Sequence, residues 1–232
     1  MAGSTGLVGQ ALVRQLAAER TWREVRALVR HALPPDLSVP NVVSVQVEYD
    51  RLDPPPDWPA ADHVFCALGT TMRQAGSSQA FRRVDFEYPV ALARAALARG
   101  ARHFLLVSAV GAAPNSRFFY NRVKGEVEAA ITALGFRSVT IARPSLILGP
   151  RREPRLGEQV GKLLGLVSPP RWRPVQAAQV ARALVEAAKR VCRGSIFWRT
   201  RSCAPLRVSD PRTIRRAIES WMSFCMGNPF EH

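Results

Sequence analysis

Short apolar runs alternate with longer amphipathic stretches from the N-terminus to about residue 190. The apolar runs predict buried strands at residues 25–30, 42–47, 63–68, 104–107 and 138–142. Apolar residues at helical spacing predict helices at residues 10–20, 79–99, 118–134 and 176–190, with Pro89 as a kink or a late start in the second of these. Short strands joined by crossover helices predict an α/β fold with a doubly wound parallel sheet.

A glycine-rich turn precedes the first predicted helix. Its glycines recur at every third position in the stretch Gly3, Ser4, Thr5, Gly6, Leu7, Val8 and Gly9. Between a strand and a helix, this spacing permits a tight turn, a close approach of the backbone to a pyrophosphate, and close packing of the helix on the strand. The stretch therefore predicts a dinucleotide site in a Rossmann-like fold, although such spacing also arises by chance.

Only Met1 and Ala2 stand before this turn, where the predicted fold places a central strand of about five residues. We therefore expect the first strand to be truncated, its neighbours to lack pairing, and the glycine turn to be poorly anchored. A start codon assigned too late would explain this. The chain as written is then expected to bind its dinucleotide poorly until several apolar residues precede Met1.

The formal net charge of +15 raises nucleic acid or an anionic membrane as a partner. Only three of the 33 basic residues are lysines, and the arginines are scattered without a run of five. Because a basic stripe with interleaved aromatic residues is absent, we disfavour nucleic acid. The four cysteines and four histidines show no metal-ligand spacing, so we predict no metal site.

The expected compartment is the cytoplasm. The cysteines form no disulfide framework, no signal-peptide pattern precedes the globular pattern, and the apolar runs are too short to span a bilayer. The length fits one domain, which we place at residues 1–194, with a loop-rich part at about 151–175 that would cover a substrate.

The tail at residues 195–232 shows no clean periodicity. The genetic code allows a nucleotide sequence for residues 194–206 that, when translated in the reading frame starting at its third base, encodes a strand, a turn and the start of a helix. We therefore hypothesise a frameshift near Gly194, which sequencing of the gene would test.

Tyr120 and Lys124 stand four residues apart in a predicted helix and therefore on one helix face. A lysine charge beside a phenol favours the phenolate, which would let Tyr120 exchange a proton with a reacting oxygen near neutral pH. Ser108, directly after the strand at 104–107, is placed to hydrogen-bond the same oxygen. The alternative is an ordinary exposed Tyr/Lys pair. We favour catalysis because three tyrosines and three lysines in 232 residues make this spacing rare by chance.

Several segments together carry a family resemblance: Gly3 to Gly9, Cys66 to Thr71, Phe81 to Asp85, His103 to Ser108, Tyr120 with Lys124 to Glu128, and Ala142 to Pro144. With them the chain resembles the atypical short-chain dehydrogenase/reductases over about residues 1–194, in the branch of the Tat-interacting-protein oxidoreductases and their bacterial relatives.

The resemblance implies a role for each matching residue. Tyr120 would be the general acid/base, Lys124 would hold the nicotinamide ribose and tune Tyr120, and Ser108 would orient the carbonyl, while the hydride would come from the cofactor. Ala109 stands where relatives often have a second serine, which leaves Ser108 as the candidate there. Further contacts to the cofactor are expected from Leu68, Gly69, Thr70, Pro144 and Ser145.

The choice of cofactor depends on the end of the strand predicted at residues 25–30. A site that prefers NAD usually carries an acidic residue there to accept the ribose hydroxyls, whereas a 2′-phosphate calls for an arginine. Arg30 holds this place and no acid does, which favours NADP over NAD; the alternative is a plain surface charge. Asp50, at the end of the strand predicted at residues 42–47, would contact the adenine amino group or act only as a turn residue.

The sequence thus predicts an NADP-dependent oxidoreductase of the atypical short-chain type that transfers a hydride to or from a small carbonyl or alcohol. The rival is a regulatory or partner-binding protein that keeps the nucleotide fold to sense NADPH without turnover. The substrate and the oligomeric state are not predicted.

Overall fold

A parallel sheet covered by helices forms the core of the protein. The computed structural model describes residues 1–52, 60–149 and 173–191. Its strands are β1 (Val25–Val29), β2 (Val42–Gln46), β3 (His63–Cys66), β4 (His103–Val107), β5 (Ser138–Ala142), β6 (Ile147–Leu148) and β7 (Val175–Gln176). Its α-helices are α1 (Leu7–Ala18), α2 (Met72–Ala75), α3 (Ser78–Arg82), α4 (Tyr88–Ala98), α5 (Phe119–Thr132) and α6 (Ala177–Val191).

The central strand of the sheet is reduced to one paired residue. Ala2 forms parallel bridges to Leu28 on one side and to Cys66 on the other. Its N–H donates to the Phe65 carbonyl at 2.9 Å, and its own carbonyl accepts from the Ala67 N–H at 2.9 Å. The strand order is therefore β2, β1, Ala2, β3, β4, β5, with every pairing parallel. This confirms the predicted α/β fold with a doubly wound parallel sheet, in which Ala2 pairs between β1 and β3.

A groove between β1 and β3 continues the line of this short central segment. It is lined by Met1, Arg26, Leu28, His63, Val64 and Leu92, among others. The Met1 ammonium donates to the Arg26 carbonyl, and burial lowers the pKa of this ammonium to about 5. The hydrogen bonds of Ala2 to Phe65 and Ala67, and that of the Leu28 N–H to the Met1 carbonyl, nevertheless join the residues before the glycine turn to both neighbouring strands.

Helices cover both faces because successive strand residues point to opposite sides of the sheet. Phe104 and Leu106 of β4 belong to one hydrophobic cluster, whose helical members come from α4 and α5. Leu105 and Val107 belong to the other cluster, whose helical members come from α1 and α6. All four side chains are buried. None of the described helices is long and apolar enough to cross a membrane.

The predicted elements agree with the observed ones except at their ends and where they are very short. The first helix begins at Leu7, three residues before its predicted start, because it continues directly from the glycine turn. The two-residue strands β6 and β7 pair with each other across 26 intervening chain positions and have no recognisable sequence pattern. Most of the substrate-covering part predicted at about residues 151–175, and the whole tail at 195–232, lie outside the described residues.

A pair of histidines lies at the amino ends of β3 and β4. The Nδ1 atoms of His63 and His103 are 3.2 Å apart, and His103 Nε2 lies 2.8 Å from Thr140 Oγ1. Trp22 packs edge-on against the His63 ring with 5.3 Å between ring centroids. Burial, together with the charge of His63, lowers the pKa of His103 to about 3, and burial also lowers the pKa of His63 despite nearby Asp62. Burial therefore favours the neutral form of both rings.

Candidate cofactor and active site

The glycine turn packs too closely for side chains at two of its positions. Gly3 has φ of +81°, and a Cβ placed there would lie 2.4 Å from the Ala67 carbonyl oxygen. A Cβ on Gly9 would lie 1.8 Å from the Gly3 carbonyl oxygen. The turn is therefore pressed against the end of β3, and α1 is pressed against the turn. This is the close packing that the glycine spacing predicts.

The N-terminus of α1 provides a place for an anion. Gly6 caps the helix without a side-chain hydrogen bond, and the first helical turn contains no acidic residue. A Cβ on Gly6 would meet only the Gly3 carbonyl oxygen, at an ordinary 3.5 Å. Ser4 is buried, and its hydroxyl has no partner among the described residues. Open space, a spare hydroxyl and helix N-terminal amides are the features that fit a pyrophosphate.

A buried ion pair lies beside this turn, at the end of β3. Lys124 Nζ is 2.7 Å from Asp85 Oδ1, and both side chains are almost wholly buried. The other oxygen of Asp85 accepts the Thr70 N–H at 2.8 Å. A Cβ on Gly69 would stand 3.4 Å from Asp85 Oδ1 and 3.7 Å from Lys124 Nζ, so the loop after β3 passes directly over the pair.

The helix that carries Asp85 is widened at that point. Residues Arg83–Glu87 form a π-helical turn between α3 and α4, in which the Tyr88 N–H donates to the Arg83 carbonyl five residues back. Pro89 follows directly; it has no N–H to donate to the Asp85 carbonyl four residues earlier, and its ring crowds that carbonyl. The kink predicted at Pro89 is thus a local widening of the helix. Such turns recur at functional sites.

Tyr120 lies one helical turn before Lys124 in α5, as the sequence predicts. Its side chain is 37% exposed, and its ring packs on Phe81 with 5.5 Å between centroids. The interaction with Tyr120 is among the influences that favour the charged form of Lys124. Tyr120 is therefore partly exposed, whereas Lys124 is buried.

The loop after β4 joins Ser108 to the same region. The Ser108 N–H donates to the Ala142 carbonyl at 2.7 Å, and its buried hydroxyl has no partner among the described residues. Farther along this loop, the Ala113 N–H donates to the Asn121 carbonyl at 3.1 Å. A Cβ on Gly125 would lie 2.2 Å from the Ala113 carbonyl carbon, so the loop rests directly on α5. The structure thus brings the Ser108 segment and the Tyr120 helix together.

The segment after β5 is held by a second ion pair. The Arg143 guanidinium donates to both carboxylate oxygens of buried Glu128 in α5. The Pro144 carbonyl accepts the Val110 N–H at 2.9 Å, and the Ser145 hydroxyl donates to the Arg173 carbonyl. Pro144 and Ser145 therefore lie beside the loop that follows Ser108.

The predicted adenosine contacts lie at the ends of β1 and β2. Arg30 directly follows β1 and is exposed. The Asp50 carboxylate accepts the Tyr88 hydroxyl at 2.8 Å and stands 3.9 Å from Arg83 Nε. Tyr88 stacks on Tyr49 with 5.4 Å between centroids, and the positive charge of Arg30 acts on both phenols. Asp50 thus already has protein partners, as a turn residue would.

The structure adds Asp85 to the residues that the sequence singles out. Asp85 follows Phe81 by four residues, so a carboxylate stands on a helix face whose other members are apolar. A lone charged residue on an apolar face was the available signal. The N–H of Thr70, one of the residues expected to contact the cofactor, donates to Asp85. Leu68 and Gly69 lie in the same loop.

The described residues contain no cluster of three or more potential metal ligands. The parallel sheet, the glycine turn at a helix N-terminus and the polar groups at the strand ends define a dinucleotide-binding α/β protein. The chain belongs to the NAD(P)H-binding family, whose family model matches residues 3–190.

Relatives and solved structures agree with this assignment. The chain is 34% identical to Protein HTATIP2 of Rattus norvegicus over 180 residues, which cover 77% of this chain and 74% of the relative. It is 34% identical to the mitochondrial Protein FMP52 of Coccidioides immitis (strain RS) over 213 residues, which cover 83% and 86%. The fold also matches MoeE5 in complex with UDP-glucuronic acid and NAD, with a TM-score of 0.68, 18% identity, and coverage of 97% of this chain and 81% of that one.

Proposed function

We propose that the protein is an NADP-dependent oxidoreductase of the atypical short-chain type that interconverts a small carbonyl and its alcohol. The observation that carries the proposal is the position of Lys124 in α5. Its side chain is buried beside the loop that follows β3, and it lies one helical turn after the partly exposed Tyr120. A cation in this position favours the phenolate form of the tyrosine above it. Tyr120 can then give its proton to a carbonyl oxygen or take one from an alcohol.

Ser108 has the complementary role of holding the reacting oxygen. Its hydroxyl is buried and lacks a partner among the described residues, and an unpaired buried hydroxyl is costly unless a ligand satisfies it. The loop that follows it rests on α5, the helix of Tyr120, so the two hydroxyls belong to one region. The bound dinucleotide would supply or accept the hydride.

NADP is the proposed cofactor because the end of β1 carries an exposed arginine and no acid. Arg30 offers a guanidinium to a 2′-phosphate, and guanidinium groups bind phosphate oxygens with charge-assisted hydrogen bonds. The residues that would hold the pyrophosphate are those of the glycine turn, from Gly3 to Gly9. Lys124 would meet the nicotinamide ribose.

Replacement of Tyr120 by Phe tests the proposal. Tyr120→Phe removes only the hydroxyl, so NADPH binding measured by quenching of protein fluorescence should persist, while turnover of a panel of small carbonyls should fall by about 100-fold or more. Glu126→Gln is the matched control, because Glu126 lies on the same helix and its carboxylate pairs with Arg82. Unchanged turnover in Tyr120→Phe would refute the role of the phenol.

A second candidate is a regulatory protein that senses NADPH. The observation in its favour is that Asp85 already compensates the charge of Lys124, which weakens the effect of that charge on Tyr120. This candidate predicts tight NADPH binding without turnover of any carbonyl, and equal behaviour of the wild-type and Tyr120→Phe proteins.

A further inference from the structure

Asp85 is the most completely buried charged group near the candidate site. Its side chain has no solvent exposure, one oxygen contacts Lys124 Nζ at 2.7 Å, and the other accepts the Thr70 N–H at 2.8 Å. A carboxylate taken out of water persists only when its oxygens are paired in this way. Asp85 thus links α5 to the loop after β3, the two elements between which the nicotinamide half of a dinucleotide would lie.

The charges around Lys124 decide whether it keeps its proton. Burial by itself disfavours the ammonium, but Asp85, Tyr120 and Cys66 all favour it, and together they raise the pKa of Lys124. Asp85 is the largest of these favourable influences, and its Oδ1 forms an ion pair with Lys124 Nζ at 2.7 Å. Burial in turn raises the pKa of the Asp85 carboxyl, against the opposing effects of Lys124 and the Thr70 N–H. The carboxylate and the ammonium therefore maintain each other's charge.

We propose that Asp85 is a positioning residue that keeps Lys124 protonated and fixes its ammonium against the Gly69–Thr70 loop, so that Lys124 can hold the ribose and support Tyr120. Asp85 acts through Lys124. The π-helical turn before Pro89 presents the carboxylate at this place. This inference rests on the proposed function for its catalytic meaning, but the charge state of Lys124 can be measured without cofactor or substrate.

Asp85→Asn removes the charge with almost no change of volume. Lys124 should then lose its proton at a lower pH, and with labelled lysine its Cε resonance would report this directly. The chain has only three lysines, so Lys124→Met assigns the signal. In the cofactor-free wild type, the Lys124 signal should stay at the ammonium position up to pH 10, whereas in Asp85→Asn it should titrate at a lower pH. Glu126→Gln, which removes the carboxylate of a more exposed ion pair on the same helix, should leave the signal as in the wild type.

Turnover provides the second measurement. In Asp85→Asn the high-pH limb of the rate profile should move to lower pH, and activity above that limb should fall about tenfold, since a buried charge that loses its partner is strongly disfavoured. Asp85→Glu, which keeps the charge, should return the limb towards its wild-type position. A purely structural role would reduce the amount of folded protein without moving either the limb or the Lys124 resonance.

The outcomes separate this inference from the proposed function. A Lys124 signal that moves in Asp85→Asn, in a protein that turns over no carbonyl, supports the inference and refutes the proposed catalysis. Turnover with an unmoved signal overturns the inference and leaves the catalysis standing. If Asp85→Asn does not fold, the wild type decides, because a Lys124 signal that titrates below pH 10 overturns the inference and one that stays charged supports it.

Discussion

Acid should destabilise this protein through the histidine pair at the amino ends of β3 and β4. His103 has no solvent exposure, and burial, together with the charge of His63, lowers its pKa from 6.5 to about 3. The folded protein therefore keeps His103 neutral in a range where the unfolded chain binds a proton. The stability that this provides is complete above pH 6.5 and is lost as the pH falls from there towards 3.

The size of the effect follows from the proton linkage. Each pH unit below the unfolded pKa costs about 1.4 kcal/mol for one proton bound only by the unfolded chain, so His103 alone removes about 2 kcal/mol of unfolding free energy at pH 5. With a urea dependence of about 2 kcal/mol per molar, the unfolding midpoint should fall by about 1 M between pH 7 and pH 5 from this source. The lowered pKa of His63 acts in the same direction.

His103→Gln isolates this contribution, because glutamine keeps an N–H that can reach Thr140 but does not titrate. The assay is urea unfolding followed by circular dichroism at pH 5, 6, 7 and 8. The variant should be less stable than the wild type at pH 7, and the difference should shrink as the pH falls. The net charge and the carboxylates destabilise both proteins in acid. The test is therefore the difference in unfolding free energy between the two proteins at each pH. Parallel pH dependences of the two proteins would refute the assignment.

Two further predictions concern the cofactor site. Gly6→Ala should fold normally, because its Cβ would meet only a carbonyl oxygen at 3.5 Å, yet it should weaken NADPH binding. Gly9→Ala should instead lose about 3 kcal/mol or more of unfolding free energy, because its Cβ would lie 1.8 Å from the Gly3 carbonyl oxygen. Equal stability of the two variants in urea would contradict this account of the turn. Arg30→Ser should weaken NADPH binding by about tenfold or more and leave NADH binding unchanged, with Arg23→Ser at the opposite end of β1 as the control. Equal losses for both dinucleotides would refute the role of Arg30.

The β5 strand and the helix of Tyr120 could be predicted closely because their signals are local. Ser138–Ala142 has exactly its predicted bounds, and Phe119–Thr132 lies within its predicted range. The strands β6 and β7 could not be predicted, since two residues hold no periodicity and the pairing depends on a distant segment. The π-helical turn falls in the same class: Pro89 indicated a disturbance, but not that the helix would widen rather than bend.

The candidate site divides in the same way. The sequence alone determined the glycine turn, the Tyr120 and Lys124 spacing, and the position of Ser108 after a strand, because each depends on neighbours a few residues away along the chain. Only the tertiary structure decided that Asp85 pairs with Lys124 across 39 chain positions and takes the Thr70 N–H. A carboxylate on an apolar helix face signals that a partner is needed. Which residue supplies it depends on how α5 and the loop after β3 pack together.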